Sequence, residues 1–264
     1  MEIPPLYAKE ISKISALYHE RRGLSTAFPL YLAMTAQEIV QCDNLPQPMA
    51  WMACQFSSYH KGIGNLPPML PKGSLLILND MTPFAEHDSK IIRDQLFSTA
   101  EQLQCSGILL DLLREPEEET RNLCRSLCRE PPCPVVIPEA YWEKEMHAPV
   151  LLPPVPLLTP PGEYLEPWKK ESVWLEFAFD EQTVTVTEQG ASLRIGRTKA
   201  ELPVHSHKDL SCSYQISVDP ERAEFYLFRT QGDLEALLVE SEKLGVKAGI
   251  GLYQQFRQRK NPQT

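Results

Sequence analysis

The sequence is poor in glycine and in basic residues, and it has no long apolar run. Glycine accounts for 12 of the 264 residues, below its usual share of about 7 %. Lys and Arg number 26 against 35 Asp and Glu, so the formal net charge is −9. This excess of acids argues against a nucleic acid or an anionic membrane as a partner. The longest apolar stretch, Pro149 to Leu158, is interrupted by prolines and is far shorter than the ~20 residues that a membrane span needs.

Targeting and cofactor patterns are missing as well. The N-terminal residues are polar and broken by prolines, without the basic and apolar regions of a signal peptide, so we expect a cytoplasmic location. No Walker or dinucleotide-binding pattern occurs, and we expect no cofactor. The seven cysteines are scattered without CxxC pairs, which favours buried apolar thiols in a reducing compartment over a zinc site. His205 and His207 are two residues apart but have no third ligand near them in the sequence, so we expect no metal.

Proline and apolar residues are abundant. Proline reaches 24 of 264 residues, about 9 % against a background of about 5 %. The hydrophobic fraction of 42 % is sufficient for a sizeable core and excludes a disordered chain. We therefore expect a globular protein with many stiff connections.

Eight short apolar runs of the buried-strand type recur along the chain, and several are separated by helical patterns. Thr35 with Glu38 forms a capping box for one helix, Asp88 caps a second through Leu103, and a third covers Glu117–Arg129. An additional helix is predicted at Ala8–Glu20. The predicted strands are Ser25–Leu32, Ala50–Phe56, Ser74–Leu78, Ser106–Leu113, Pro134–Ile137, Pro149–Leu152, Ser172–Phe179 and Lys247–Tyr253.

The pattern changes between residues 181 and 230. Thr183–Thr187 and Ala191–Ile195 alternate around a turn and predict one antiparallel hairpin, and Ser211–Val218 with Glu224–Arg229 predicts a second. A helix, Asp233–Leu244, ends at Gly245.

Eight strands in about 250 residues match the size of a (β/α)8 barrel of the TIM type. We predict a single, irregular α/β barrel domain over residues 1–264, with a β-rich insertion at 181–230 between the seventh and eighth strands. The competing architecture is a doubly wound open sheet with a small β subdomain.

In such a barrel the functional site lies at the C-terminal ends of the strands. The residues at those ends are mostly acidic and aromatic, and Trp174 joins them because it alternates with Glu176 on one face of a strand. Carboxylates beside aromatic rings suit a neutral polyol such as a sugar. The candidates are Gln55, Tyr59, His60, Asp80, Asp111, Glu115, Glu139, Tyr141, Trp174, Glu176, Tyr253 and Gln254.

The fourth predicted strand, SGILLDLLRE, resembles the strand signature D-x-x-D-x-D-x-E of the family 18 chitinase-like glycosidases. Glu115 matches the terminal acid and Asp111 the second Asp, whereas Ile108 and Leu113 replace the other two. The likeness covers about ten residues. The order of strands, with an insertion before the last one, is similar too. The resemblance implies a barrel that hydrolyses or binds amino-sugar polymers.

Each acid also has a purely structural interpretation. Asp111 is either a site residue or a buried carboxylate held by backbone donors, and Glu115 is either an acid of the site or a solvated loop residue. Glu176, in an apolar strand, either points into a site or is paired. Asp80 either lines the site or caps the turn before Thr82-Pro83, and His60 is either a base or an exposed loop histidine.

Two functions remain open at this stage. The first is a glycoside hydrolase-like barrel that binds, and hydrolyses, a small or oligomeric carbohydrate with Glu176, Asp111 and Glu115 as the catalytic candidates. The second is a catalytically inactive carbohydrate-binding or scaffold protein on the same barrel.

Overall fold

A computed structural model describes residues 28–42, 45–84, 87–196 and 201–258 of the chain. The predicted helix Ala8–Glu20 and the first residues of the predicted strand Ser25–Leu32 lie outside these ranges. The strands are β1 Leu30–Met34, β2 Met49–Phe56, β3 Ile63–Gly64, β4 Leu75–Asn79, β5 Gly107–Asp111, β6 Val135–Pro138, β7 Val150–Leu152, β8 Val173–Glu176, β9 Glu181–Thr187, β10 Gly190–Ile195, β11 His205–His207, β12 Cys212–Val218, β13 Arg222–Phe228 and β14 Ala248–Leu252. The helices are α1 Ala36–Gln41, α2 Ser89–Gln102, α3 Glu118–Leu127, α4 Pro161–Leu165, α5 Gln231–Lys243 and α6 Tyr253–Gln258.

Eight strands form a closed parallel barrel. The larger sheet has the order β1-β14-β8-β7-β6-β5-β4-β2-β3, and β1 also pairs with β2 in parallel, which closes the ring. Apart from β3, its members are the eight predicted strands in chain order. The barrel prediction is therefore confirmed, and the doubly wound open sheet is wrong.

The apolar runs fit their place in the sheet. All five residues of β4 are buried, and β5 is buried at every residue except Asp111. Strands that are covered on both faces tolerate such continuous apolar sequences, whereas a half-exposed strand alternates.

Helix starts follow the capping signals closely. The Thr35–Glu38 capping box is present at α1, and the Asp88 carboxylate accepts bonds from the N–H groups of Lys90 and Ile91 at α2. Helix α5 starts at Gln231, before the predicted Asp233, because Thr230 caps it and forms a reciprocal box with Asp233. Gly245 follows its last turn with a φ of 93°, a left-handed conformation that favours glycine.

Other differences from the predictions concern element ends. β5 stops at Asp111 and β8 at Glu176, so both are shorter than their apolar runs. Tyr253 and Gln254 begin α6, so their placement on the last strand was wrong; glutamine-rich YQQF favours a helix.

The loop predicted as irregular contains the short strand β3, which pairs antiparallel with β2. The Gln95 side chain accepts a 2.7 Å hydrogen bond from Ile63 N–H and fixes this strand. A Cβ atom at Gly62 would lie 2.4 Å from the same oxygen, so a larger residue there would displace the Gln95 amide from Ile63.

The second sheet is antiparallel, with the order β10-β9-β13-β12-β11. Both predicted hairpins are confirmed, β9 with β10 and β12 with β13. Pairing of β13 with β9 joins the two hairpins, and β11 is an additional edge strand that the sequence did not indicate.

The chain divides into two compact units, residues 1–152 with 250–253 and residues 153–249 with 254–264. The single barrel domain over 1–264 stays a prediction. Within the described ranges, no helix combines the length and the apolar character that crossing a membrane requires.

Leu78 and Leu113 provide a matched test of the strand assignments. Leu78 in β4 is fully buried, whereas Leu113, beyond the end of β5, is 83 % exposed. We expect Leu78→Ala to reduce the free energy of unfolding by about 2–5 kcal/mol, because it leaves a cavity. Leu113→Ala should change it by less than about 0.5 kcal/mol. Urea unfolding followed by far-UV circular dichroism measures both values, and equal losses would contradict the assignment.

Candidate functional site

Asp80 holds together the ends of two neighbouring strands. It directly follows β4, and its carboxylate accepts hydrogen bonds from the N–H groups of Leu113 (3.0 Å) and Arg114 (2.9 Å), just beyond β5. Asp80 is buried, with 5 % of its surface exposed. The alternative that it caps the turn before Thr82-Pro83 is wrong, because the Asn79 side chain takes that role and accepts a bond from Met81 N–H.

Arg114 reinforces the same connection. Its Nε donates to the Asp80 carbonyl at 2.8 Å, and its Nη2 donates to the Met81 carbonyl at 3.1 Å. The Tyr141 hydroxyl donates to the Arg114 carbonyl at 2.9 Å, and the Tyr141 ring is 1 % exposed. The ends of β4, β5 and β6 are therefore cross-linked by side chain to backbone bonds.

Asp111 lies in the middle of this arrangement. It ends β5, it is opposite Asn79 in the β4–β5 register, and it is half-buried. Burial raises its pKa above the ordinary value of 3.8, and the negative charge of Asp80 raises it further. A carboxyl in such a place keeps its proton to a higher pH and can donate a hydrogen bond or a proton.

A tight turn after β2 carries the aromatic candidate Tyr59. The Ser57 hydroxyl accepts bonds from the N–H groups of Tyr59 and His60, and the Ser57 N–H donates to the Gly62 carbonyl at 2.9 Å. The Tyr59 side chain is 98 % exposed on this fixed turn. His60 is exposed, and its Nδ1 accepts a bond from Gly62 N–H. Gln55 is half-buried near the end of β2.

Glu115 and Glu139 are exposed, the first after β5 and the second after β6. Tyr253 is half-buried, and its hydroxyl lies 3.6 Å from the Cys42 Sγ atom. The structure thus brings the strand-end candidates of the first unit to one edge of the barrel, since β2, β4, β5 and β6 follow one another in parallel.

The second unit contains the remaining candidates. Glu176 ends β8 and is half-buried, and Trp174 is 8 % exposed. Leu175 and Phe177 are buried as well, so burial alone does not separate the two faces of this strand. Gln254 is exposed on α6. The pairing of Glu176 with Asp111 stays a prediction.

Sequence reasoning missed an ion pair in the second unit. The fully buried Arg229 guanidinium approaches the Asp180 carboxylate, with Nη1 and Oδ2 3.4 Å apart, and Nη2 donates to the Val155 carbonyl at 2.6 Å. Burial raises the pKa of Asp180, and the positive charge of Arg229 opposes this effect. An open cleft of about 590 Å³ is adjacent, and its lining consists of Phe179, Asp180, Glu181, Gln182, Ile195 and Gly196.

Arg114 was missed too, although it is the basic residue next to the matched signature acids. The signal for Arg229 is weaker, since nothing in the hairpin pattern distinguishes a buried arginine at a strand end from an exposed one.

The described residues contain no group of three potential metal-ligating side chains, and His205 and His207 are exposed. The cysteines in the described part of the chain are free thiols. Burial raises the pKa of Cys54 and of Cys124 to about 12, so these two are inert apolar groups at neutral pH.

Comparison with solved structures gives the fold a precedent. The class V chitinase from Nicotiana tobaccum superposes with a TM-score of 0.56 at 7 % identity, over 89 % of this chain and 96 % of that one. The spore cortex-lytic enzyme SleL from Bacillus cereus gives 0.55 at 9 %, over 85 % and 70 %. A class V chitinase mutant from Cycas revoluta, solved in complex with (GlcNAc)3, gives 0.53 at 7 %, over 86 % and 94 %. No family model and no curated protein matches the chain.

At such low identities the likeness concerns the fold. The resemblance between this chain and chitinase-type barrels, first suggested by SGILLDLLRE, is confirmed at that level.

Asp111→Asn tests the environment of the carboxyl. Because burial raises the folded-state pKa above the unfolded one, the wild type loses stability as the pH rises from about 4 through the folded pKa. Asparagine does not ionise, so the variant should gain stability relative to the wild type between pH 3.5 and pH 7. Urea midpoints over this range measure the difference.

The exposed Asp209 provides the control, since Asp209→Asn is the same chemical change in a solvated position. A wild type and an Asp111→Asn variant with parallel pH profiles would contradict the burial argument.

Proposed function

We propose that this chain is a carbohydrate-binding barrel that takes an oligosaccharide of amino sugars at the C-terminal ends of its strands. The observation that carries the proposal is the set of side chains at the ends of β2, β4 and β5. A fixed carboxylate, Asp80, adjoins a carboxyl with a raised pKa, Asp111, and the neighbouring strand end presents an exposed tyrosine, Tyr59, on a hydrogen-bonded turn.

This combination suits a neutral polyol. Sugar hydroxyl groups both donate and accept hydrogen bonds, and the half-buried Asp111 carboxyl accepts them when ionised and can donate one when protonated. The apolar C–H face of a pyranose ring packs on an aromatic ring, which Tyr59 offers without any rearrangement of its turn. A phosphorylated ligand is disfavoured because two carboxyl groups would face it.

The fold likeness supports the choice of sugar. A structural neighbour, the Cycas revoluta chitinase mutant, was solved with (GlcNAc)3 and, as a second mutant, with (GlcNAc)4. Chito-oligosaccharides are therefore the first probes for this chain.

Hydrolysis is the second candidate function, and the raised pKa of Asp111 favours it, because a general acid needs a proton at working pH. In this scheme Asp111 and Glu176 form the carboxylate pair, one as acid and the other as nucleophile or base. The exposure of Glu115 favours binding without catalysis, since the orientation of a solvated side chain is not fixed.

Tyr59→Ala tests the binding function. The variant removes the stacking surface, and we expect the dissociation constant for (GlcNAc)4 to increase about tenfold. Isothermal titration calorimetry measures it. Met69→Ala is the control, because Met69 is 77 % exposed and precedes β4, at the opposite edge of the strands. If the wild type and the Tyr59 variant bound (GlcNAc)4 with equal dissociation constants, Tyr59 would not be part of the binding site.

Glu176→Gln and Asp111→Asn test hydrolysis. Both substitutions are isosteric, so folding should be preserved, and turnover of a fluorogenic chito-oligosaccharide should fall about 100-fold or more if these residues are catalytic. Glu130→Gln, an exposed change before β6, should leave turnover unchanged. A wild type that binds (GlcNAc)4 without turnover would exclude hydrolysis and leave the binding function intact.

A further inference from the structure

The five-stranded sheet of the second unit buries several polar side chains on one of its faces. Residues on one face of an antiparallel sheet alternate with those on the other. The face that contacts helix α5 through Ser213 buries Thr183, Ser213 and Glu224 at 1 %, 4 % and 5 % exposure, together with Tyr226 and Phe228. The Ser213 hydroxyl donates to the Asp233 carboxylate of α5 at 2.8 Å. An antiparallel sheet with one solvated face normally buries its apolar side.

The opposite face is apolar in consecutive rows. In the strand register, Leu193 lies opposite Val184, Val184 opposite Phe225, and Phe225 opposite Ile216. These four residues form one continuous row across β10, β9, β13 and β12. The next row runs from Ala191 through Val186 and Ala223 to Val218. We call these two rows, together with Ile195 at the edge, the open face.

Much of the open face is in contact with solvent. Ile195 is 94 % exposed, Val218 72 %, Leu193 58 % and Val186 40 %. Part of this side of the sheet is covered, because Cys212 and Leu227 pack with Leu157, and Val184 packs against the same cluster. The apolar surface that remains is on the order of 600 Å², as large as the largest patch on a typical monomer and a mark of an interaction site.

The absence of charged side chains from the two rows favours a second copy of the chain as the partner. The chain has a net charge of −9, so two copies repel each other over most of their surface. Neither row of the open face contains a charged side chain, and two such faces can meet without burying an unpaired charge. An acidic or basic partner would find no countercharge in these rows.

The apolar area of the open face is also consistent with a second copy of the chain as the partner. Two open faces in contact would bury about 1,200 Å² in total, which is the lower end of the range for specific protein interfaces. A two-fold axis requires one patch that complements itself, and two rows of uncharged, apolar side chains are compatible with this requirement.

We propose that the open face is an interface between two copies of this chain, related by two-fold symmetry. The interface uses the sheet of the second unit and none of the strand-end residues discussed for carbohydrate binding. At this size the dimer dissociation constant falls in the micromolar range.

Sedimentation velocity on the full chain, at concentrations from about 1 µM to about 200 µM, tests the proposal. We expect a concentration-dependent change from monomer to dimer in the wild type. Ile195→Glu places a carboxylate on each side of the interface and should raise the dissociation constant about 100-fold. Leu193→Glu, at a second exposed position, should do the same, and circular dichroism verifies that both variants are folded.

Val40→Glu is the matched control, because Val40 is an isolated, 87 % exposed apolar residue on α1. It adds the same charge and should leave the dimer unchanged. A wild type that stays monomeric at the highest concentration overturns the proposal. A dimer that survives both open-face substitutions with wild-type affinity overturns it as well.

Discussion

The two hydrogen bonds that Asp80 accepts from the backbone of Leu113 and Arg114 constrain the whole candidate site. A buried carboxylate is stable only when hydrogen-bond donors replace its lost hydration. The chain beyond β5 therefore has to turn its N–H groups towards Asp80. A negative charge is then fixed beside Asp111, and this charge, together with burial, raises the pKa of Asp111.

The same constraint determines the surroundings of the signature-like segment. The backbone at Leu113 and Arg114 faces Asp80, and the Leu113 side chain is 83 % exposed. Glu115, which matches the terminal acid of the chitinase-like signature, is also exposed. Of the two matched acids, Asp111 is the half-buried one, and burial raises its pKa. The segment thus supplies strand β5 and the two N–H groups that bind Asp80, and its two matched acids differ in burial.

Sequence patterns predicted the features that depend on neighbouring residues. Continuous apolar runs located the eight barrel strands, and capping residues located α1 and α2, because both signals are local. The role of Asp80 depends on residues 33 and 34 positions away, and no local pattern carries that information. The same is true of Arg229, whose partners Asp180 and Val155 come from other parts of the chain. Sequence reasoning therefore found Asp80 and Asp111 as candidates, but not the bonds that give each its role.

The second sheet shows a different limit of prediction from sequence patterns, which concerns the face of the sheet that is covered. Alternation with a period of two identified both hairpins, yet it does not say which face is covered, and the usual rule would place the apolar face inside. Here the polar face is stabilised by specific bonds, among them the one between Ser213 and Asp233, a residue that also caps α5. On the opposite face Leu193, Ile195 and Val218 are exposed. The surplus apolar surface then becomes a driving force for association, because removing it from water is favourable wherever the covering surface comes from.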